Sequence, residues 1–423
     1  MVGDKMKNGK PYILFGCLNS PCTTGSHYFR NFVKVLGREN VVCIGPEQSS
    51  LSWDLEKPVS PDKIYALDVE LPYKNHPELY TYTEIFDMIR SKGYAEDFDL
   101  LVFCEPNLYP IVGNNGWKPN IPSLYHTIDT HRSPRNTMWA MSQGKIDFLS
   151  IANIHHKEVF EHVHMIEGWD RKVVYNPPKK IIYSPTCADP DVHKRYPEEA
   201  EYEKYDIIFL GADGIEKHRG GAHENFSMAR KWLTCKWKND KGDVYKEEEF
   251  PYFNRGCYQD HRFGEYNHRA EMLCRLRESK LLKDKFKILP GSIHPTEYAR
   301  ILNKGRMVFN SSINEDLNMR TTEAMSCGRV LITDDACKNT DGVLGADMIT
   351  HMRYRKFYHP LNINFDLDFK VLRDRIMILL STRGLIESIQ NNAYNWIRET
   401  KQTYEQRCRV LLQECIGWEG GIK

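Results

Sequence analysis

The stretch Met307–Asp335, MVFNSSINEDLNMRTTEAMSCGRVLITDD, decides the fold. Met307, Val308 and Phe309 form a short apolar run of strand type, and Asn310 to Asn314 is polar and turn-prone. Thr321 or Thr322 is placed to cap a helix, with Glu323 in its first turns and Ala324, Met325 and Cys327 as its apolar face. Gly328 stops that helix, Arg329 stands at the same end, and Val330-Leu331-Ile332 reads as a buried parallel strand. The unit is strand, loop, helix, strand, with Glu315 in the loop and Glu323 in the helix, eight positions apart. A helix onset carries a positive dipole end that suits a phosphate. Carboxylates beside it suit sugar hydroxyls. The unit therefore fits a ligand that is part phosphate and part polyol, such as a nucleotide sugar. Two glutamates taken without these surroundings would be ordinary solvated charges.

Working outward, the same alternation fills the chain. Tyr12–Cys17 and Val41–Gly45 read as strands around a helix over His27–Leu36. A helical pattern covers Pro77–Lys92, and Leu100–Cys104, Ser123–Ile128, Phe148–Ala152 and Val173–Tyr175 are further strands. The stretch from Asn176 to Glu203 is rich in proline and charge and reads as a linker. A second series follows at Asp206–Leu210, Phe286–Leu289, Met307–Phe309 and Val330–Thr333. Ile386, Ile389, Ala393, Trp396 and Ile397 share one helix face, as do Tyr404, Cys408, Leu411, Leu412 and Cys415. Strands alternating with helices imply parallel βαβ units, and 423 residues exceed one ordinary core. The expectation is an α/β protein of two doubly wound, Rossmann-like domains, 1–185 and 186–423.

Composition narrows the function. A net charge of +1 gives no global drive toward nucleic acid or an anionic membrane. The twelve cysteines lack CxxC or metal-finger spacing, and the opening residues do not form a signal peptide. They read as reduced thiols of a cytoplasmic protein. The run Tyr12–Leu18 is too short to span a membrane. No GxGxxG favours a dehydrogenase and no GxSxG favours a hydrolase. Asp366-Leu367-Asp368 and Asp189-Pro190-Asp191 read as loop acids, and the His155, His156, His162 and His164 group lacks HExxH, so no metal site is expected.

The spacing of Glu315 and Glu323 resembles the E-x7-E motif of retaining glycosyltransferases with the GT-B fold. Several segments, in order, resemble CgeB-like (spore-maturation type) members. These are Tyr125-His126-Thr127-Ile128-Asp129-Thr130-His131, Tyr205-Asp206-Ile207-Ile208-Phe209-Leu210-Gly211, and Tyr404-Glu405-Gln406-Arg407 with Leu411-Leu412. The resemblance runs from about Tyr12 to Ile416. It implies two domains facing a cleft, the donor in the second and the acceptor in the first, with the last helix crossing back to the first domain. It implies a retaining transfer of a sugar from UDP- or another NDP-sugar to an acceptor hydroxyl, without metal or further cofactor.

On this basis Glu315 contacts the donor sugar and Glu323 the ribose, whose paired hydroxyls a carboxylate can accept from. The backbone at Asn318, Met319 and Arg320, beside Thr321 and Thr322, meets phosphate, and the Arg320 charge faces the leaving diphosphate. Arg219 and Lys217, beyond the strand ending at Gly211, are further cations. Gly291 and Ser292 sit where the base is held. Gly25 and Ser26 let backbone approach phosphate, and Asp129 and His131 point to the reacting centre. The segment Trp232–His268 is longer and richer in aromatic and charged residues than the resemblance leads one to expect. Its mixture suits nucleic acid or a glycan, although Glu247-Glu248-Glu249 opposes a uniformly basic groove. The segment reads either as a solvated insertion or as an acceptor-binding one, and in the second case the acceptor is a modified DNA base, a saccharide or a protein side chain. A GT-B nucleotide-sugar epimerase and a non-catalytic nucleic-acid-binding protein are the alternatives.

Overall fold

The computed structural model describes residues 9–17, 23–45, 67–71, 80–104, 117–127, 134–168, 171–211, 236–245, 265–290, 294–311, 317–335, 341–354 and 365–420. The first half carries β1 (Ile13–Gly16), α1 (Thr24–Leu36), β2 (Val41–Gly45), β3 (Val69–Glu70), α2 (Tyr82–Ser91), β4 (Leu100–Cys104) and β5 (Ser123–Thr127). It continues with α3 (Pro134–Gly144), β6 (Phe148–Ile151), α4 (Lys157–His162), β7 (Met165–Gly168), β8 (Arg171–Val174) and β9 (Lys180–Tyr183). Then come β10 (Tyr205–Leu210), β11 (Lys236–Lys238), α5 (Glu265–Glu278), β12 (Phe286–Leu289), α6 (Pro295–Asn303) and β13 (Gly305–Phe309). The last are α7 (Met319–Ser326), β14 (Val330–Asp334), α8 (Asp341–Leu344), β15 (Met352–Tyr354), α9 (Phe365–Ser381), α10 (Leu385–Glu399) and α11 (Tyr404–Ile416). None of the described helices is long and apolar enough to cross a membrane.

The chain forms two compact units. Unit 1 is Met1–Pro185 with Cys235–Phe250 and Tyr404–Lys423; unit 2 is Thr186–Thr234 with Pro251–Thr403. The last helix thus folds with the first half, as the resemblance implies, and residues 235–250, which the sequence division assigns to the second domain, do so too. The physical reason is pairing and burial. β11 hydrogen-bonds antiparallel to β7. α11 buries Tyr404, Cys408, Leu411, Leu412 and Cys415, and Lys34 on α1 reaches Glu405 at 3.0 Å.

Unit 1 is built on a seven-stranded sheet in the order β3-β2-β1-β4-β5-β6-β9, every neighbouring pair parallel. Its central strands ILFG, VVCIG and LLVFC are buried at every residue, as a parallel sheet covered on both faces requires. The Thr23 side chain accepts the Ser26 N–H to start α1, and Thr81 with Glu84 forms a reciprocal capping box on α2. β9 lies inside the stretch read as a linker. Pro177 and Pro178 mask a short strand whose Ile181 and Ile182 are buried beside β6.

Unit 2 holds a five-stranded parallel sheet, β12-β10-β13-β14-β15. Alternate residues of its strands feed two separate cores. Ile207, Phe209, Met307, Phe309 and Ile332 pack with Leu273 of α5 and Leu372 and Ile376 of α9. Ile208, Leu210, Val308 and Leu331 pack with Leu302 of α6, Met325 of α7 and Ile397 of α10. Helices on both faces make each unit doubly wound. Asp366 and Asp368 are not loop acids: they open α9, and Asp368 is buried with its Oδ2 3.0 Å from His268 Nε2.

α7 ends as the sequence suggests. Gly328 turns left-handed (φ +64°), its N–H bonds to Met325 O at 2.9 Å, and the Arg329 N–H bonds to Ala324 O at 2.9 Å, a Schellman arrangement. The Arg329 side chain is fully buried. It donates to Glu203 Oε1 (2.8 Å), Tyr202 OH (2.7 Å), Gly305 O (3.2 Å) and Cys327 O (3.1 Å). One guanidinium thus ties the entry of β10, the start of β13 and the end of α7. Arg329→Ala leaves these acceptors unpaired around a void. It should lower unfolding stability by about 3 kcal/mol, read by urea denaturation.

Candidate functional site

The unit 2 sheet reverses direction of growth at β10 and β13. From β10 the chain proceeds to β12 on one side, and from β12 it returns to β13 on the other. Ligands of open parallel sheets bind beyond the carboxyl ends of strands at such a switch point. The residues following β10 and β13 are Gly211 and Asn310, and α7 begins a few residues beyond β13.

Asn310 organises this place. Its N–H bonds to Ile332 O at 2.7 Å, which extends the strand register, and its side chain is fully buried. Its Oδ1 accepts from Asn318 Nδ2 and from Arg320 Nη1, both at 3.0 Å, and its Nδ2 donates to Thr321 Oγ1 at 3.3 Å. One amide therefore fixes the residue before α7 and two residues of its first turn. Asn318 is the N-cap residue, with extended ψ of 162°, and α7 starts at Met319. The helix thus begins earlier than a threonine cap at 321 or 322 would allow. Thr321 is instead engaged with Asn310, and Thr322 Oγ1 donates to Met319 O at 3.3 Å. The positive dipole end falls at Asn318–Arg320.

Arg320 lies with its guanidinium 4.7 Å above the Phe209 ring. Its Nε is buried and has no hydrogen-bond partner among the described residues. Gly211 adopts φ +102°, and a Cβ there would meet Arg320 Nη2 at 2.6 Å. A glycine at this strand end is what leaves room for the guanidinium.

Glu323 is one turn further along α7 and is 3% exposed. Burial pushes its pKa up to about 8, and the Arg320 charge pulls in the opposite direction. His193 Nε2 lies 3.5 Å from Glu323 Oε1, both side chains being buried. His193 sits at the end of the Asp189–His193 turn, whose ring nitrogen Nδ1 accepts the Asp189 N–H at 3.1 Å. Ser326, on the same face of α7 as Glu323, donates its hydroxyl to His193 O at 2.6 Å.

The structure thus brings together Gly211, Asn318, Met319, Arg320, Thr321, Thr322 and Glu323. Gly25 and Ser26 belong to unit 1, in the first turn of α1. A Cβ at Gly25 would be 2.8 Å from Cys17 Cβ, so its bareness lets α1 approach the ends of β1 and β4. The Ser26 N–H serves the Thr23 cap. Glu315, Asp129, His131, Lys217, Arg219, Gly291 and Ser292 lie outside the described residues. Sequence reading missed Asn310, Phe209 and His193. Asn310 was legible as the first polar residue after an apolar strand. His193 had no local sign, because its partner is 130 residues away.

Residues 268–413 match the family described as glycosyl transferase-like. No curated protein matches the chain in sequence. Among solved structures it is similar to a glycosyltransferase from Rickettsia africae ESF-5, at 12% identity over 96% of this chain and 99% of that one, with a TM-score of 0.50. It is also similar to an alpha-glucosyltransferase in complex with UDP-glucose and DNA containing an abasic site, at 11% identity over 97% and 100% of the two chains, TM-score 0.52. At such identities the likeness is one of backbone. The chain has the fold of GT-B glycosyltransferases and carries a glycosyl transferase-like domain.

The Glu323 environment has a thermodynamic consequence. An acid whose folded pKa, about 8, exceeds its ordinary 4.5 holds an extra proton in the native state between those values. Its contribution to stability is complete below the lower value and is lost as pH rises through the upper one. The unfolding free energy of the wild type should therefore fall relative to Glu323→Gln between about pH 5 and about pH 8.5, by on the order of a few kcal/mol. Parallel urea titrations across that range check it.

Proposed function

We propose that the protein transfers a sugar from a nucleotide-sugar donor to an acceptor hydroxyl, and that unit 2 binds the donor at the β10–β13 switch point. The observation that carries this reading is the onset of α7. There a helix dipole, the Arg320 guanidinium and the Glu323 carboxylate stand within one turn of each other, beyond the carboxyl ends of a parallel sheet. Diphosphate is the group that a helix onset and an arginine hold together. Paired ribose hydroxyls are what a buried carboxyl group, as acid or as carboxylate, accepts from. Cleavage of the glycosyl–phosphate bond builds negative charge on the diphosphate, and Arg320 with the helix end stabilises that charge as it develops.

The finer assignments rest on the resemblance to CgeB-like, E-x7-E proteins. Glu315 contacts the transferred sugar; Lys217 and Arg219 add charge at the diphosphate; Gly291 and Ser292 hold the base. Asp129 and His131 serve the reacting centre on the acceptor side. The reaction is retaining and needs no metal, because fixed cations and a dipole do the work of one. UDP-glucose, bound by the alpha-glucosyltransferase of similar fold, is the first donor to screen, and DNA is one acceptor to screen beside saccharides and proteins.

Thermal shift against UDP-, GDP-, ADP- and dTDP-sugars tests the donor site. One of these should raise the melting temperature, and Glu323→Ala should abolish the rise; a rise unchanged in that variant refutes the site. Arg320→Ala should lower kcat by about ten- to a hundredfold, the cost of one charge-assisted contact made in the transition state. Turnover with the stabilising donor measures it.

A further inference from the structure

We infer that His193 is a positioning residue of the donor site, holding the Glu323 carboxylate in the orientation that meets the ribose hydroxyls. This rests on the donor-site reading above and extends it to a residue outside the Glu315–Glu323 unit.

One hydrogen bond fixes the imidazole and three more hold the turn that carries it. First, Nδ1 accepts the Asp189 N–H at 3.1 Å, and a ring nitrogen that accepts carries no proton. The neutral ring therefore bears its hydrogen on Nε2, the atom 3.5 Å from Glu323 Oε1. Second, the turn that presents the ring is itself tied. The His193 N–H bonds to Asp189 O at 2.7 Å, and the Asp191 N–H bonds to Asp189 Oδ1 at 3.2 Å. Third, Ser326 Oγ donates to His193 O at 2.6 Å. Ser326 and Glu323 are one turn apart on α7, so one helix face bonds the histidine main chain and lies against its ring. At 3.5 Å this is a close approach, longer than an ordinary hydrogen bond; it sets the ring beside one oxygen of the Glu323 carboxyl group and leaves the other to meet a ligand. A structural histidine needs no acid beside its second ring nitrogen. Here the buried acid and the tautomer-fixed donor face each other, which is the arrangement by which an outer side chain orients a ligand-contacting one.

The test is binding of UDP and of 2′,3′-dideoxy-UDP, or of the corresponding pair for whichever base stabilises the protein, by titration calorimetry. The proteins are wild type, His193→Ala, His193→Gln, Glu323→Gln and the double variant His193→Ala/Glu323→Gln. His193→Ala should weaken UDP binding about tenfold, the scale of one hydrogen bond in a dry site. It should leave the dideoxy nucleotide unaffected, since that ligand has no ribose hydroxyls to meet. His193→Gln, which places an amide N–H near the Nε2 position, should recover most of the loss. In the Glu323→Gln background the histidine substitution should cost nothing further. Equal weakening of both nucleotides, or a full additional loss in the double variant, overturns the role of His193 while the donor site stands. If Glu323→Gln does not weaken UDP and the wild type binds both nucleotides alike, the donor-site reading fails, and this inference fails with it.

Discussion

The side chain of Asn310 is the contact on which the candidate site depends. A parallel strand ends, and the helix that follows must start at a defined place and angle for its dipole to be of use. Three hydrogen bonds from one buried amide do this. They join the strand end to Asn318, Arg320 and Thr321, so helix onset and cation are set by the same group. An aspartate in its place would lose the donor to Thr321, and an alanine would lose all three. Buried polar groups of this kind are costly unless satisfied, and here the satisfaction is what produces the shape.

Around that contact, unit 2 concentrates charge where water is scarce. Arg329 is satisfied on all sides and works as a structural tie. Arg320 has an aromatic ring beneath it, the Asn310 amide oxygen and the Tyr298 hydroxyl as partners, and a buried Nε without a partner among the described residues. The difference separates a framework arginine from the one to which the proposed donor site assigns the diphosphate. Glu323 shows the same contrast for acids. Glu203, its framework counterpart, is matched with Arg329 at 2.8 Å, whereas burial raises the pKa of Glu323 despite the Arg320 charge.

Much of the architecture could be read from residue order, because buried parallel strands are continuous apolar runs. ILFG, LLVFC, YDIIFL and VLITD announce themselves in this way. Elements of low apolar content did not. β9 was hidden behind two prolines, β3 is two residues long, and β11 depends on a partner about seventy residues earlier. Local chemistry located α7 and Glu323, and the glycine stop at 328 was legible from type alone. The start of α7 was misplaced because a threonine is a good cap in isolation, while the actual N-cap is chosen by the bond from Asn318 to Asn310. His193 could not be found at all from neighbouring residues; only folding brings its turn to α7.

The partition of the chain has a consequence for its synthesis. Unit 1 recruits β11 and α11 from far downstream, whereas unit 2 is complete once residue 403 has been made. The sheet of unit 1 is therefore translated before α11, and the face of α1 that α11 covers is bare until residues 404–416 follow. Unit 2 can consolidate during that interval. Apolar surface left open during such an interval is what a chaperone or a neighbouring nascent chain recognises.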